Sequence, residues 1–386
     1  MTATVARAIP GDPAECARVL AEAAGEHRTL RITGSGTKSY LGDVGATDIE
    51  LSTERLAGVI DHVPADLTVT LAAGTRMSDV RAALAQAGQF LPLDPPHADQ
   101  ATVGGVIAAN SNGFWRARYG GVRDLLIGTR TALVDGTIAR AGGLVVKNVA
   151  GYDLDKLLVG SFGTLGVIVE ATLKVLPLPE KSDGLVARFA RAADAFATAD
   201  AVVRGPSRVE ACVVERTADG PWAVAVQARG SDPTVKRAMS DARRDVAARR
   251  GEAAEPADEL GAMRELPARA SEGALVRVSL PLAAAAAFAE SAVRLESFAT
   301  LVVDAATGIA RVHVVNDDDA VIRDAEALLL AARMVGGAGR IERRAEQLHS
   351  RLRTWPNRPN GDFLMRRIKE AFDPAGILEP GRSAFV

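Results

Sequence analysis

The chain has few residues that bind metals or form cross-links. Its 386 residues include two cysteines, Cys16 and Cys212, which lie far apart and in no Cys-x-x-Cys pair. The five histidines show no His-x-His, His-x-x-x-His or His-x-x-Glu spacing. We therefore expect no disulfide framework, no cysteine-bound iron–sulfur cluster and no metal site. No Gly-x-Ser-x-Gly sequence signals a serine nucleophile either.

The chain also lacks an excess of charge and a long apolar run. Lys and Arg number 46 against 48 Asp and Glu, a net charge of −2, which gives no electrostatic basis for binding nucleic acid. The most apolar stretch, residues 281–295, is alanine-rich and interrupted by Glu290, so it falls short of the ~18 apolar residues of a membrane span. The N-terminus lacks the apolar segment of a signal peptide. We expect a cytoplasmic protein.

The length of the chain predicts two domains, and the sequence contains two stretches that differ in their predicted secondary structure. The first 176 residues combine helices with short β-branched strands and many glycine turns. Strands are predicted at Thr29–Thr33 and Thr68–Gly74, and a hairpin at Thr129–Gly143 turns at Asp135-Gly136. One helix begins after Asp12, a good N-cap, and a second spans residues 76–88.

The following 180 residues repeat a strand–helix–strand–strand pattern twice, which predicts an antiparallel sheet covered by helices. Residues 171–181 form a strand that ends in two prolines, and prolines stop a strand ladder, so a domain boundary is expected there. A helix is predicted from Asp319 to Met334, and a short helix and a turn-rich tail end the chain.

Gly34-Ser35-Gly36-Thr37-Lys38 directly follows the first of these strands. Successive small residues can point backbone N–H groups into one concavity that suits phosphate. The segment is neither a Walker A loop nor a dinucleotide fingerprint, since Ser39 stands where the third glycine would be. Taken alone, a structural turn is the better interpretation of this segment.

Two further segments allow both a binding and a structural interpretation. A helix opening at Thr102, with Gly104 and Gly105 in its first turn, would expose free N–H groups to a ligand. Close packing between two elements explains the same small residues equally well. Arg123 and Asp124 follow two glycines; such a pair is more often a surface pair or a cap than a ligand contact.

Residues 147–168 gather glycines beside polar Asn148, Tyr152, Asp153 and Ser161. The composition fits either a set of turns or a backbone shaped to lie against a ligand. Read in order with the segments above and with the C-terminal residues 365–382, this motif resembles the FAD-linked oxidases of the vanillyl-alcohol oxidase (PCMH-type) fold. It resembles most closely the FAD-binding subunits of glycolate oxidase (glycolate dehydrogenase).

The resemblance implies an α+β fold. Residues 1–176 would form a two-lobed PCMH-type FAD-binding domain, and residues 177–362 a cap domain of antiparallel sheet plus helices on the substrate side. Residues 363–386 would return to the FAD domain. There, residues 373–381 match the family's Asp-Pro-x-Gly-Ile-Leu-Asn-Pro-Gly, except that Glu379 replaces the usual Asn.

The resemblance also assigns the FAD-binding residues. The first pyrophosphate loop would contain Gly34, Ser35, Gly36, Thr37 and Lys38, and the second Thr102, Gly104 and Gly105. The cofactor groove would be lined by Gly151, Tyr152, Asp153, Gly160, Ser161, Gly163 and Gly166, with Val167 and Ile168 near the adenine–ribose end. Arg123 and Asp124 are further candidates. FAD would be bound noncovalently, because the first loop lacks the histidine that links flavin in many of these enzymes.

The implied function is flavin-dependent oxidation of glycolate, or of another 2-hydroxy acid, to the oxo acid. The chain would act with a larger catalytic flavoprotein subunit and an iron–sulfur subunit, through which it could associate with a membrane. Two alternatives remain: a self-sufficient FAD oxidase of another alcohol or hydroxy acid, and a structural subunit with little chemistry. No base or carboxylate-binding residue is signalled; Arg123, Lys147, Tyr119 and His97 are the nearby candidates.

Overall fold

The computed structural model describes residues 5–43, 45–143, 152–254, 258–356 and 361–383. The described residues form two compact units. The first comprises those within Met1–Asn112, Gly120–Leu178 and Asn357–Val386, and the second those within Gly113–Tyr119 and Pro179–Pro356. The predicted boundaries at 176 and 362 lie close to these divisions, whereas the sequence did not predict that 113–119 joins the second unit. The functional roles of the two domains remain a proposal.

Strands of the first unit form a small parallel sheet, a larger antiparallel sheet and a two-stranded ladder. They are β1 (Ala6–Ala8), β2 (Leu30–Thr33), β3 (Ile49–Ser52), β4 (Val59–Val63), β5 (Thr68–Ala72), β6 (Gln89–Phe90), β7 (Leu126–Ala132), β8 (Ile138–Gly142), β9 (Val167–Lys174) and β10 (Leu176–Pro177). The parallel sheet has the order β1-β3-β2, the antiparallel sheet β4-β5-β9-β7-β8, and β6 pairs with β10.

Strands of the second unit form one eight-stranded antiparallel sheet in the order β14-β11-β13-β12-β16-β17-β15-β18. They are β11 (Lys181–Phe189), β12 (Ala211–Thr217), β13 (Trp222–Gly230), β14 (Glu252–Ala254), β15 (Ala274–Ser279), β16 (Phe298–Asp304), β17 (Ile309–Val314) and β18 (Ala338–Arg344).

Twelve α-helices occur in the described ranges. They are α1 (Pro13–Gly25), α2 (Met77–Ala85), α3 (Val103–Ala109), α4 (Arg116–Tyr119), α5 (Val122–Leu125), α6 (Ala192–Arg204), α7 (Asp232–Ala248), α8 (Glu259–Arg264), α9 (Leu266–Arg269), α10 (Ala285–Ala292), α11 (Asp318–Met334) and α12 (Asp362–Phe372). Short 3-10 turns lie at Pro64–Asp66, Leu154–Leu158, Leu282–Ala284 and Glu346–Leu348.

Local sequence signals fix several of these elements. The Asp12 side chain accepts a hydrogen bond from the Glu15 N–H and so caps α1, as predicted. The hairpin of β7 and β8 turns at Asp135-Gly136, where Gly136 has a φ of +83° and Asp135 accepts from the Thr137 N–H and hydroxyl. The predicted hairpin is therefore confirmed.

The sheet of the second unit buries one face against helices. Its apolar core joins alternate residues of the central strands, such as Val276, Val278 and Val312, to the buried faces of α6, α7, α10 and α11. A smaller cluster on other alternate residues includes Phe114, Val213 and Leu275. Strands β12, β13 and β15 thus have buried residues on both faces, and the predicted antiparallel sheet with helices is confirmed.

Candidate functional site

A loop with unused backbone donors follows β2. In the ranges described, the N–H groups of Ser35, Gly36 and Thr37 donate to no protein acceptor, while the next turns close through Ser39 N–H to Gly36 O (3.0 Å) and Leu41 N–H to Lys38 O (3.1 Å). Gly36 has a φ of +73°, a conformation that glycine adopts without cost. Three consecutive free N–H groups at a surface groove form a concavity that suits an anion.

Gly34 lies directly against the start of α3. A Cβ at Gly34 would lie 2.2 Å from Thr102 Oγ1, so only glycine permits this approach of the two loops. Thr102 is the N-cap of α3, and its Oγ1 accepts from the Gly105 N–H at 3.4 Å. The loop after β2 and the α3 terminus, far apart in sequence, therefore form one wall of the groove.

The structure corrects the expectation that both glycines of α3 expose free N–H groups. The Gly104 N–H donates to Ala73 O at 2.7 Å, and a Cβ at Gly104 would lie 2.9 Å from Ala73 Cβ. Close packing, the alternative explanation, accounts for Gly104. Gly105 lines the groove, but its N–H donates to the Thr102 cap, so neither glycine has the expected free N–H group.

The segment 160–163 docks onto the other end of α3. Gly160 and Phe162 donate their N–H groups to Ile107 O (3.1 Å) and Ala108 O (2.8 Å). Gly163 has a φ of +81°, and a Cβ there would lie 3.1 Å from Ile32 Cδ1. The buried Ser161 hydroxyl has no partner within the described part of the chain. The backbone of this segment thus approaches the groove where Phe162 lines it.

The C-terminal tail completes the groove with residues that the sequence analysis did not assign to it. Glu379 accepts from the Ile32 N–H (2.7 Å) and from Arg382 Nε (2.9 Å), and Arg382 donates to Lys38 O and Leu41 O at 3.2 and 3.0 Å. Burial raises the pKa of Glu379, against the lowering effect of Arg382. The sequence held one signal for this contact, because Glu379 and Arg382 are three positions apart, a spacing at which an acid and a base can pair.

Lys369 of α12 holds the C-terminal tail through three hydrogen bonds. Its Nζ donates to Thr164 O and Leu378 O, both at 2.9 Å, and to Asp373 Oδ2 at 2.5 Å. Asp373 in turn accepts from the N–H groups of Ile377 and Leu378. Burial lowers the pKa of Lys369, while Asp373 opposes that shift. One buried cation therefore connects the 160–168 segment to the tail.

The groove so assembled encloses roughly 500 Å³, part of it open to solvent. Its lining residues are Ile32, Thr33, Gly34, Ser35, Gly36, Thr37, Lys38, Ser39, Thr102, Gly105, Ala108, Ala109, Phe162, Glu379 and Arg382. The free N–H groups of Ser35, Gly36 and Thr37, together with the guanidinium of Arg382, fit a diphosphate laid against the backbone. Lys38 directs its Nζ to Pro96 O at 2.9 Å.

Other residues assigned from the resemblance lie elsewhere in the first unit. Gly166 packs against Thr131 and Ala132, and Val167 and Ile168 are buried core residues paired with β7. Arg123 is exposed, and Asp124 caps α5 by accepting from the Gly121 N–H at 2.8 Å.

Of the motif at 147–168, the structure describes the part from Tyr152 onward. Tyr152 and Asp153 are exposed, Tyr152 by 90%. Gly151 and the candidate Lys147 lie outside the described residues.

The remaining catalytic candidates lie in different units. His97 occupies a first-unit loop with a φ of +58°. Tyr119 belongs to the second unit, where it contacts buried Glu210; burial, and then Glu210, raise the pKa of the tyrosine, and burial raises the pKa of the glutamate. Among the described residues, no group of His, Cys, Asp and Glu could hold a metal ion. The helices found in those residues are all too short or too polar to cross a membrane.

Comparison with known proteins identifies the first part of the chain. A family model described as an FAD binding domain matches residues 5–142. The chain is 42% identical over 163 residues to glycolate oxidase subunit GlcE of Escherichia coli (strain K12), covering 42% of this chain and 46% of the relative. It is 37% identical over 183 residues to glycolate oxidase subunit GlcD of Bacillus subtilis (strain 168), covering 47% and 38%.

A third relative is a D-2-hydroxyglutarate dehydrogenase of Xanthomonas citri pv. viticola, 33% identical over 180 residues (46% of this chain, 38% of the relative). The matched region thus spans less than half the length of each of these relatives. A solved structure of alkyldihydroxyacetonephosphate synthase superposes with a TM-score of 0.74 at 16% identity, covering 97% of this chain and 76% of that one. At this identity the likeness shows the fold.

These findings confirm the predicted α+β fold of FAD-linked oxidases and FAD as the cofactor. They also confirm the resemblance to glycolate oxidase subunits. The groove built from 34–38, Thr102, Gly105 and the tail fits the diphosphate of such a cofactor.

Proposed function

We propose that the chain is the FAD-binding subunit of a dehydrogenase that oxidises a small 2-hydroxy acid, with glycolate as the favoured substrate. The observation that carries the proposal is the groove of the first unit, where three free N–H groups and Arg382 converge. Similarity to glycolate oxidase subunits and to a D-2-hydroxyglutarate dehydrogenase supports the substrate class.

In this proposal the protein contributes binding and orientation. The N–H groups of Ser35, Gly36 and Thr37 would donate to the diphosphate, and Arg382 would balance its charge while Glu379 holds the guanidinium in place. Phe162 would pack against the cofactor from the 160–163 segment. Bound FAD supplies the acceptor for the hydride that leaves the hydroxy acid.

We further propose that turnover requires partners, namely a larger catalytic flavoprotein subunit and an iron–sulfur subunit. Two of the relatives carry names of glycolate oxidase subunits, which supports an assembly of this kind. The two competing functions are a self-sufficient FAD oxidase for a different alcohol or hydroxy acid and a structural subunit that holds no working flavin.

Anaerobic flavin reduction tests the proposal. The purified, FAD-loaded chain is mixed with glycolate, D-lactate or D-2-hydroxyglutarate, with and without the co-purified partner subunits, and the visible flavin absorbance is followed. We expect bleaching by glycolate once the partners are present. Rapid bleaching of the isolated chain by another alcohol or hydroxy acid would indicate the self-sufficient oxidase, and failure to bind FAD would indicate the structural subunit.

A further inference from the structure

Three arginines stand side by side on adjacent strands of the second unit. Arg277 of β15 is the register partner of Arg311 on β17 and of Arg340 on β18. Register partners in an antiparallel sheet project from the same face. We call Arg277, Arg311 and Arg340 the arginine row.

The arginine row lies on the face of the sheet opposite to α6, α7, α10 and α11. Val276 and Val278, the neighbours of Arg277 in β15, are fully buried in the core formed with the helices. Because successive side chains of a strand point to opposite faces, Arg277 points away from that core. Side-chain exposure along the row is low, at 13% for Arg311 and 17% for Arg340.

The Glu342 carboxylate contacts two members of this row. Glu342 pairs with Arg311 through two contacts, at 2.6 and 3.3 Å, and lies 3.9 Å from Arg340. Burial opposes ionisation of Glu342, yet Arg311, Arg340 and Arg277 together lower its pKa to about 2. Arg340 also lies over the Trp355 ring at 5.0 Å. Glu342 is therefore fully committed to the outer members of the row.

Arg277, in the middle, has no hydrogen bond and no carboxylate within ion-pair distance in the described part of the chain. Burial, then Arg340, lower its pKa to about 9, and Arg311 and Arg116 act in the same direction while Glu342 opposes them. Like charges directly opposite each other on a sheet destabilise it. The guanidinium of Arg277 is therefore partly buried near three others, without an acceptor of its own among the described residues.

Other arginines of this unit have protein acceptors, as expected of arginines with a structural role. Arg188 of β11 donates to Glu259 at 2.8 Å, and Arg343 donates to the carbonyls of Pro267 and Ala268 at 2.9 and 2.7 Å. Each of these guanidinium groups has an acceptor within the protein. The guanidinium of Arg277 has no such acceptor in the ranges that the structure describes. A planar guanidinium matches the two oxygens of a carboxylate.

We propose that the arginine row is a binding site for the carboxylate of a small organic acid, with Arg277 as the direct ligand and Glu342 positioning Arg311 beside it. The choice of a carboxylate among anions rests on the proposed oxidation of a hydroxy acid. The site itself rests on the geometry of the second unit. It gives the chain a means of recognising an acid that is independent of the FAD groove.

Oxalate binding to the FAD-loaded full chain tests the site, because oxalate carries the carboxylate but no hydroxyl to oxidise. Calorimetric titration and thermal unfolding are compared for wild type, Arg277→Met and Arg277→Lys at constant ionic strength, with sulfate as a second probe. Arg188→Met is the matched control, since it removes a paired arginine from the same sheet. We expect Arg277→Met to weaken oxalate binding at least tenfold, Arg277→Lys to weaken it less, and Arg188→Met to leave it unchanged.

The melting temperature of Arg277→Met without oxalate distinguishes a binding role of Arg277 from a structural one. Arg277 has no acceptor among the described residues, so its removal breaks no ion pair there. The melting temperature of Arg277→Met should therefore equal or exceed that of wild type. A lowered melting temperature with unchanged oxalate affinity would assign Arg277 a structural role, and sulfate binding as tight as oxalate would overturn the choice of a carboxylate. Oxalate binding that depends on Arg277, in a chain whose flavin no hydroxy acid reduces even with the partner subunits present, would support the site and reject the proposed function.

Discussion

At the residue scale, the conformation of Gly36 decides whether the loop after β2 can present its N–H groups. Its φ of +73° belongs to the left-handed region, and no neighbouring atom lies within 4 Å of the place where a Cβ would stand. A substitution there would act through the backbone rather than through a clash. Gly88, at the end of α2, has a φ of +66° and equally open surroundings, so it supplies a matched control.

We predict that Gly36→Ala weakens FAD binding, whereas Gly88→Ala does not. Both variants should lose about 1 kcal/mol of folding free energy, because each forces a Cβ into the left-handed region. Only Gly36→Ala should also lower FAD affinity, by roughly tenfold, since charge-assisted N–H contacts contribute about 1.5–3 kcal/mol each. Urea unfolding and fluorescence titration with FAD measure the two effects. Equal FAD affinity in both variants would remove the loop from the cofactor site.

Glu342 is the residue whose ionisation should most affect acid stability of the second unit. Its folded pKa of about 2 lies below the ordinary value of 4.5, so the carboxylate stabilises the fold above pH 4.5. That stabilisation is lost as the pH falls from 4.5 toward 2. The charged groups responsible are Arg311, Arg340 and Arg277 on the neighbouring strands.

We predict that Glu342→Gln lowers unfolding free energy by about 3 kcal/mol at neutral pH, the magnitude of a pKa shift of that size. The difference from wild type should stay constant between pH 7 and 5.5 and narrow below pH 4.5. Glu296→Gln, at an exposed pair with Arg323, should change stability by less than about 1 kcal/mol. Urea titrations over this pH range measure both, and a pH-independent difference would contradict the assigned ionisation.

At the scale of elements, helix α12 holds the tail through a buried pair. Lys369 and Asp373 are one turn apart, and their side chains are 9% and 0% exposed. Removal of one partner from a buried pair leaves the other charge uncompensated. Because Lys369 also bonds to Thr164 O and Leu378 O, the tail strand and the 160–168 segment depend on the same cation.

We predict that Lys369→Met lowers stability by about 3–5 kcal/mol and releases FAD. The double variant Lys369→Met, Asp373→Asn should recover part of the stability, since no buried charge then remains. Arg366→Met, on the same helix but in a more exposed pair with Asp362, should have little effect on either property. Denaturant unfolding measures the stability of these variants, and flavin content after gel filtration measures their FAD retention. A Lys369 variant with full FAD content would show that the tail does not support the groove.

Predictability also differs among elements. The helix caps at Asp12 and Thr102 and the hairpin at Asp135-Gly136 depend on neighbours in sequence, and the structure has them as predicted. The use of Gly104 depends on Ala73, which belongs to another element. The sequence at Gly104 was compatible with packing and with ligand binding, and the approach of β5 determines which of them occurs.

At the scale of the whole molecule, the manner of FAD attachment follows from what the chain offers for a covalent bond. The first loop carries Lys38 and Ser39 rather than histidine. Cys16 and Cys212 are buried, and burial raises the pKa of both thiols, that of Cys16 to about 12. A protonated, buried thiol is a poor nucleophile toward a flavin.

We predict that FAD is held noncovalently. Acid precipitation of the purified, yellow chain should leave the flavin in the supernatant, and addition of FAD to the stripped and refolded chain should restore the bound spectrum. Yellow colour that stays with the washed precipitate would contradict the prediction. Proteolysis and mass measurement of the flavin peptide would then locate the linkage.

The order of the motifs, the alternation of strands and helices in both units, and the cofactor class could all be predicted from the sequence. Those features depend on residue type, spacing and local capping, which act between near neighbours. The positions of Arg382 and Glu379 in the groove depend on long-range packing, since Arg382 contacts Lys38 across 344 positions of the chain. The arginine row is of the same kind, because strand register, set by packing of whole strands, aligns Arg277 with Arg311 and Arg340.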